Sequence, residues 1–154
     1  MTFEEKLKQY ILEKGIDAEM LVFQQSCHSV EDAAKSANAK KEDFIKNICL
    51  SGESGKIIVA IVKGEDKVDF KKIEAVSNAA KIRTLKPQEI LEKIGYPCGG
   101  VPSFGYSAIF LVDSKVLANE FVYSGGGSEN SLIKITPKEL LKANSGKIVN
   151  ISKD

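Results

Sequence analysis

From Gly95 to Gly105 the chain reads Gly-Tyr-Pro-Cys-Gly-Gly-Val-Pro-Ser-Phe-Gly, four glycines and two prolines in eleven residues. Neither a helix nor a sheet ladder can run through such a stretch, because proline lacks the backbone donor and glycine carries the largest entropy loss on ordering. The segment is therefore an irregular loop on which regular elements must end from both sides. A second cluster, Gly125-Gly126-Gly127 flanked by Ser124 and Ser128, interrupts the chain again downstream. Whatever forms has to be built from short pieces around these two breaks.

Those pieces can be read from their periodicity and punctuation. Thr2 and Glu5 stand at capping-box spacing ahead of a helix that puts Phe3, Leu7, Tyr10 and Ile11 on one face and stops at Gly15. Met20 to Phe23 reads as a short buried strand. Ser29 and Asp32 repeat the capping-box pattern before Val30, Ala33, Ala34 and Ala37 at helical spacing. Phe44–Leu50 and Lys56–Val62 are strand-like, joined by a glycine-bearing link of hairpin length. Asp69 caps a helix carrying Phe70, Ile73 and Val76. Pro87 opens another with Ile90, Leu91 and Ile94 inward and Gly95 at its end. Beyond the loop come strands at Ile109–Val112 and Glu120–Tyr123 with a short helix between them, and a strand at Leu132–Ile135. A helix capped by Thr136, Pro137 and Glu139 and a closing strand at Lys147–Ile151 complete the chain.

Hairpin links and irregular loops do not fit a strict βαβ repeat. The expected class is α+β, one compact domain over residues 1–154. Its sheet is expected to be mixed, largely antiparallel, curved and barrel-like, with helices outside. The length of 154 residues suffices for a real core. No apolar run approaches the roughly 18–20 residues that cross a bilayer. The N-terminus has no basic flank and apolar block of a secretory signal, so the cytoplasm is the expected compartment and no membrane partner is expected. Cys27, Cys49 and Cys98, odd in number and unpaired in spacing, suit reduced thiols.

Composition excludes several functions. With 22 basic against 21 acidic residues the net charge is +1, which does not suit coating long DNA. It leaves open a partner held by one end, since a pocket for a 3′ terminus needs few phosphate contacts. His28 is the single histidine and no carboxylate cluster accompanies it, so neither a metal nor another cofactor is expected. Gly125-Gly126-Gly127 lacks the Gly-Lys-Ser/Thr ending of a phosphate-binding loop and leads into a strand, which argues against nucleoside triphosphate hydrolysis.

Three features could carry chemistry, and each has a plainer alternative. The Gly99-Gly100 pair before Val101-Pro102 can expose consecutive N–H groups to a developing oxyanion, or be a sharp turn. Lys46, in Phe44-Ile45-Lys46-Asn47, is a cation at a pocket mouth or a solvated lysine on an open sheet face. Cys98 is a nucleophile stabilised by loop amides, or a packed thiol. His28, next to the Ser29 cap, reads as structural from its position alone.

Together these segments resemble the YbaK-like family, also called the prolyl-tRNA synthetase-associated editing domain. The likeness starts at His28-Ser29-Val30-Glu31-Asp32-Ala33-Ala34 and runs through Phe44-Ile45-Lys46-Asn47, Ile57–Val62 and Asp69-Phe70-Lys71-Lys72. It continues in Gly95–Gly105 and in Val122-Tyr123-Ser124-Gly125-Gly126-Gly127. The resemblance implies hydrolysis, in trans, of the 3′ ester of mischarged aminoacyl-tRNA bearing a small amino acid such as alanine, cysteine or proline. It implies Lys46, Gly99 and Gly100 as the catalytic set: Lys46 on the terminal adenosine or its phosphate and the glycine loop around the acyl carbonyl. It also implies a substrate pocket lined by His28, Ser29, Asn47, Val101, Pro102, Ser124 and Gly125. The implied partner is aminoacyl-tRNA through its 3′-terminal adenosine; an aminoacyl-tRNA synthetase is a further candidate.

Two positions depart from the family pattern. Ser103 stands where members often carry a proline, with Pro102 one residue earlier. Glu129, Asn130, Ser131 and Leu132 stand where some members place Asp or His. The alternatives are a non-catalytic module of the same fold that holds a tRNA end or nucleotide, and a thiol hydrolase using Cys98.

Overall fold

The computed structural model describes residues 1–24 and 30–154. Helix α1 (Phe3–Lys14) begins where the Thr2 hydroxyl accepts the Glu5 amide at 3.1 Å and ends at Gly15 in the left-handed region. It is followed by β1 (Ala18–Val22) and α2 (Val30–Ala37). The hairpin pairs β2 (Ile45–Ser51) with β3 (Ile57–Lys63) antiparallel, from Ile45 opposite Lys63 to Ser51 opposite Ile57. Helix α3 (Phe70–Ser77) is capped by the Asp69 carboxylate, which accepts the amides of Lys71 and Lys72. Strand β4 (Arg83–Thr84) and α4 (Pro87–Ile94) lead to the glycine-rich loop. After it come β5 (Ile109–Asp113), a 3-10 turn (Ser114–Ala118), β6 (Val122–Gly125) and β7 (Ser131–Ile135). Helix α5 (Pro137–Asn144) and β8 (Lys147–Val149) follow.

The strands form two sheets, one of three strands in the order β1-β7-β6 and one of five in the order β4-β2-β3-β5-β8. This corrects the expectation of a curved, barrel-like sheet: the mixed α+β class stands, but nothing closes. The two sheets meet through an isolated parallel bridge between Phe44 and Tyr123. The reason lies in the connections. Strands β5 and β8 run parallel to β3, and parallel neighbours require crossovers that place helices on the sheet faces. Strand β4 meets β2 only at Leu50 and Ser51, too short a ladder to carry the sheet around into a barrel.

The crossovers leave β3 covered on both faces, and Ile58 to Val62 are fully buried. One face, continued by Leu111 of β5, meets Ile73 of α3. The other joins Leu7 and Ile11 of α1, Ile90 and Ile94 of α4, Leu140 of α5, and Val122, Ile133 and Ile135 of the smaller sheet. The smaller sheet turns Tyr123 and Leu132 the other way, under Ala33 and Ala34 of α2 and against Phe44.

Local expectations fail where tertiary position overrides pattern. The strand expected to be buried at Met20–Phe23 is β1, an edge strand with Val22 60% exposed. Leu91, expected inside, is 46% exposed because only the Ile90–Ile94 stripe of α4 meets the core. The Ser29 cap and Cys27 lie outside the described residues. Among the described residues no helix is long and apolar enough to cross a membrane.

Candidate functional site

Residues far apart in sequence meet where the two sheets touch. Strand β4 leaves the first half of β2 without a ladder partner on the side away from β3, and a cavity of about 210 Å³ opens along this edge. Phe44 to Asn47 form one wall, Cys98, Gly99 and Val101 a second, and Tyr123 to Gly125 a third. Ala33, Ser131 and Leu132 also line it. Phe44 and Tyr123 stack with ring centroids 4.9 Å apart, giving an apolar floor beneath polar walls. A roomier groove, about 480 Å³, lies between α1 and β1. Its walls carry Thr2, Glu4, Glu5 and Lys8 beside aliphatic side chains, and no glycine lines it.

Lys46 is half-buried. Burial pushes its ammonium below the usual lysine range, with Asp66 pulling it back up and Lys67 adding to the fall. A cation stripped of part of its water in this way gains more from a bound anion than an exposed one does.

The loop wall is built from a 3-10 turn, Cys98–Gly100, in which the Gly100 amide donates to the Pro97 carbonyl at 2.9 Å. Gly100 and Gly125 are glycines because backbones cross there. A Cβ on Gly100 would lie 2.4 Å from the Ser128 nitrogen, and one on Gly125 would lie 2.1 Å from the Val101 oxygen. The crossing is fastened by the Gly127 amide, which donates to the Gly100 carbonyl at 2.8 Å.

Asn47 ties all three walls. Its Nδ2 donates to the Val101 carbonyl at 2.9 Å and to Ser124 Oγ at 3.3 Å, while its Oδ1 accepts from Ser103 Oγ at 2.7 Å. Ser103 and Ser124, both buried, stand 2.6 Å apart through their hydroxyls.

The structure thus brings together Lys46, Asn47, Gly99, Val101, Ser124 and Gly125, all named from sequence. Gly100 sits behind the cavity surface with its amide already engaged. Pro102 is buried in the loop, its carbonyl accepting from the Tyr106 hydroxyl at 2.6 Å. His28 and Ser29 lie outside the described residues. Cys98 is exposed at the rim. Among the described residues lining the cavity there is no imidazole or carboxylate to act as its base. Sequence reasoning missed the aromatic floor and Ser103. The floor had a signal, since Phe44 and Tyr123 flank the two motifs, but stacking between distant rings cannot be read from spacing.

With this geometry in hand, comparison with known proteins decides the family. The aminoacyl-tRNA editing domain matches residues 24–143. The chain belongs to the aminoacyl-tRNA editing family. It is an aminoacyl-tRNA deacylase, an enzyme that removes the amino acid from mischarged aminoacyl-tRNA. Among its relatives is YwhH of Bacillus subtilis (strain 168), an uncharacterized protein, 32% identical over 135 residues that span 86% of this chain and 85% of that one. Another, from Enterococcus faecalis (strain ATCC 700802 / V583), bears the name "Putative Cys-tRNA(Pro)/Cys-tRNA(Cys) deacylase EbsC". It is 23% identical over 126 residues, covering 80% of this chain and 77% of that protein. The fold recurs in the crystal structure of "a putative trans-editing enzyme for prolyl tRNA synthetase", with a TM-score of 0.92 and 22% identity. That match covers 100% of this chain and 99% of the other.

Proposed function

We propose that the cavity between β2, the glycine-rich loop and β6 takes the aminoacylated 3′-terminal adenosine of a mischarged tRNA and presents its ester to water. The observation that carries this reading is the meeting of Lys46 with the Gly99 and Gly125 backbones around one cavity. Lys46 supplies a point charge for the terminal nucleotide. The backbones at Gly99 and Gly125, bare of side chains, admit the acyl carbonyl closely enough for main-chain donors to stabilise the oxyanion. Gly100 contributes by letting the walls approach, its own amide being held by Pro97.

An aminoacyl ester is already activated, so orientation and oxyanion stabilisation supply what the reaction needs. The attacking water is assisted by the ribose hydroxyl of the substrate itself.

The apolar part of the cavity at Phe44 and Tyr123 suits a small acyl group. Alanine, cysteine and proline are the candidates, with the Cys-tRNA name of the Enterococcus relative favouring cysteine. Such an activity answers a physical need: one methylene changes binding by only about 1–3 kcal/mol, so a synthetase pocket alone separates small amino acids poorly. We further propose that residues 1–154 act as one domain, in trans, on tRNA handed over by a prolyl-tRNA synthetase.

The test is a deacylation panel of small amino acids on several tRNAs, run beside Lys46→Ala. We expect hydrolysis confined to one or a few pairs, and loss of roughly 100-fold in the variant with circular dichroism unchanged. A blank panel would point to a binding module, and a folded, fully active Lys46→Ala would remove the lysine from the reaction.

A further inference from the structure

Four successive carbonyls of the glycine-rich loop are each held from a different direction. Gly100 O accepts from Gly127 N of the β6–β7 turn at 2.8 Å, and Val101 O from Asn47 Nδ2 of β2 at 2.9 Å. Pro102 O accepts from the Tyr106 hydroxyl at 2.6 Å, and Ser103 O from Asn144 Nδ2 at the end of α5 at 3.0 Å. Fixing successive carbonyls fixes the planes of the peptides, and with them the direction of every N–H the loop can offer. What remains is to hold this loop at the right distance from β2 and β6, and that falls to side chains.

Proton counting shows how. The single Ser103 proton goes to Asn47 Oδ1. One Asn47 amide proton goes to Ser124 Oγ and the other to Val101 O. The bond between the two serine hydroxyls therefore takes its proton from Ser124. Ser103, Asn47 and Ser124 form a closed ring in which each group donates to the next, and neither amide proton of Asn47 is left for a ligand. The three members belong to the loop, β2 and β6, the three walls of the cavity. Asn47 adjoins Lys46, and Ser124 adjoins Gly125.

We infer that Ser103 is a positioning residue for deacylation: its hydroxyl closes the ring that sets the loop, Lys46 and Gly125 in register around the ester. The inference rests on the reading of the cavity given above. Ser103 is 0% exposed, so it acts through Asn47 and Ser124 rather than by touching substrate. In a low-dielectric surrounding such a ring is stiff when whole. Removing one member leaves a buried amide oxygen and a hydroxyl short of partners, which the walls relieve by shifting.

A paired substitution separates positioning from mere stability. Ser103→Ala removes the hydroxyl from a site it does not overfill. Ser103→Thr keeps the hydroxyl and forces a methyl into a closed space. We expect Ser103→Ala to lose roughly 10- to 100-fold in kcat on cognate mischarged tRNA, with KM within about twofold, as a displacement near 1 Å would cause. Ser103→Thr should melt lower than Ser103→Ala yet keep kcat within about threefold of wild type. Activity that follows melting temperature instead of the hydroxyl overturns the inference, as does an unchanged kcat in Ser103→Ala. Should Ser103→Ala fail to fold, Ser124→Ala opens the same ring from β6 and is read by the same kcat and KM split. Lys46→Ala runs alongside: an active Lys46→Ala sinks the reading of the cavity, whereas an inactive Lys46→Ala with an active Ser103→Ala sinks only the ring.

Discussion

The crossing of Gly125 over the glycine-rich loop permits a quantitative forecast. A Cβ added to Gly125 would lie 2.1 Å from Val101 O, 2.7 Å from Val101 C and 3.0 Å from Gly100 C, all backbone atoms. Relief cannot come from rotating a side chain, so the loop and β6 must part by about 1 Å to reach ordinary contact. That movement pulls at the Gly127 N to Gly100 O bond of 2.8 Å and the Asn47 Nδ2 to Val101 O bond of 2.9 Å. Overpacking costs about 1–3 kcal/mol and weakening one buried hydrogen bond about 1 kcal/mol, together about 2–4 kcal/mol. For a chain of this size each kcal/mol shifts the melting temperature by about 2–4 °C. Gly125→Ala should therefore melt about 5–15 °C below wild type and, through the displaced loop, lose most of its deacylation rate.

Gly99→Ala supplies the control. Its added Cβ meets Glu129 Cγ at 3.5 Å, an ordinary contact, so its melting temperature should stay within about 3 °C of wild type, the scale of a single exposed helix or turn propensity change. Differential scanning calorimetry on the two variants decides the matter. A Gly125→Ala protein that melts with wild type, or a Gly99→Ala protein that melts as low as Gly125→Ala, would refute the claim that glycine is required by backbone crossing at one position and not at the other.

Three further outcomes follow from the structure. Asp113 is fully buried, and its carboxylate accepts the amides of Lys115, Ile151 and Ser152 at 3.2, 2.9 and 3.1 Å, so Asp113→Ala should cost about 3 kcal/mol or more in urea unfolding with deacylation specificity unchanged. The Arg83 guanidinium bonded to Glu89, with the Lys86 amide, holds the Glu89 carboxyl down at about 2 against 4.5 unperturbed. A depressed carboxyl stabilises the fold above its unfolded value and loses that contribution as pH falls through its folded value, so the melting-temperature gap between wild type and Glu89→Gln should narrow from about pH 5 down to about pH 2. Cys98 is exposed, whereas burial, with Cys98 nearby, pushes the Cys49 thiol up to about 12; at neutral pH a maleimide should label Cys98 and leave Cys49 unmodified in mass spectrometry, and Cys98→Ser should keep most of its deacylation.

Much of the fold was legible because its punctuation is local. Thr2, Asp69 and Thr136 cap the helices that their spacing announced, and Gly15 and Gly95 end theirs in the left-handed region. Each such motif is complete within about four residues, so no distant contact can overrule it. The barrel-like closure expected of the sheet fails because parallel pairing, which puts helices on the sheet faces, carries no local mark. Ile109–Val112 and Lys147–Ile151 look the same as strands whether they meet their neighbours, β3 and β5, as hairpins or through crossovers. The one clue is the unbroken apolar run of Ile57–Val62, which marks a strand buried on both faces. Edge position is equally silent, which is why β1 seemed buried from its sequence and lies at a margin.

The candidate site divides along the same line. Lys46, Gly99, Val101, Ser124 and Gly125 could be named because each belongs to a short motif, and the fold gathers them at one cavity. Their chemistry could not be apportioned from the motif alone. Gly99 and Gly100 look equivalent in sequence, yet the Gly100 amide closes a turn onto Pro97 and its missing side chain makes room for Ser128. Likewise Asn47, named as lining the pocket, does line it, and its two amide protons bond Val101 and Ser124 across the walls. Ser103 shows the limit most plainly. A serine in a loop has many local uses, and only the partners that folding brings to it, from β2 and β6, turn its hydroxyl into the group on which the spacing of the cavity depends.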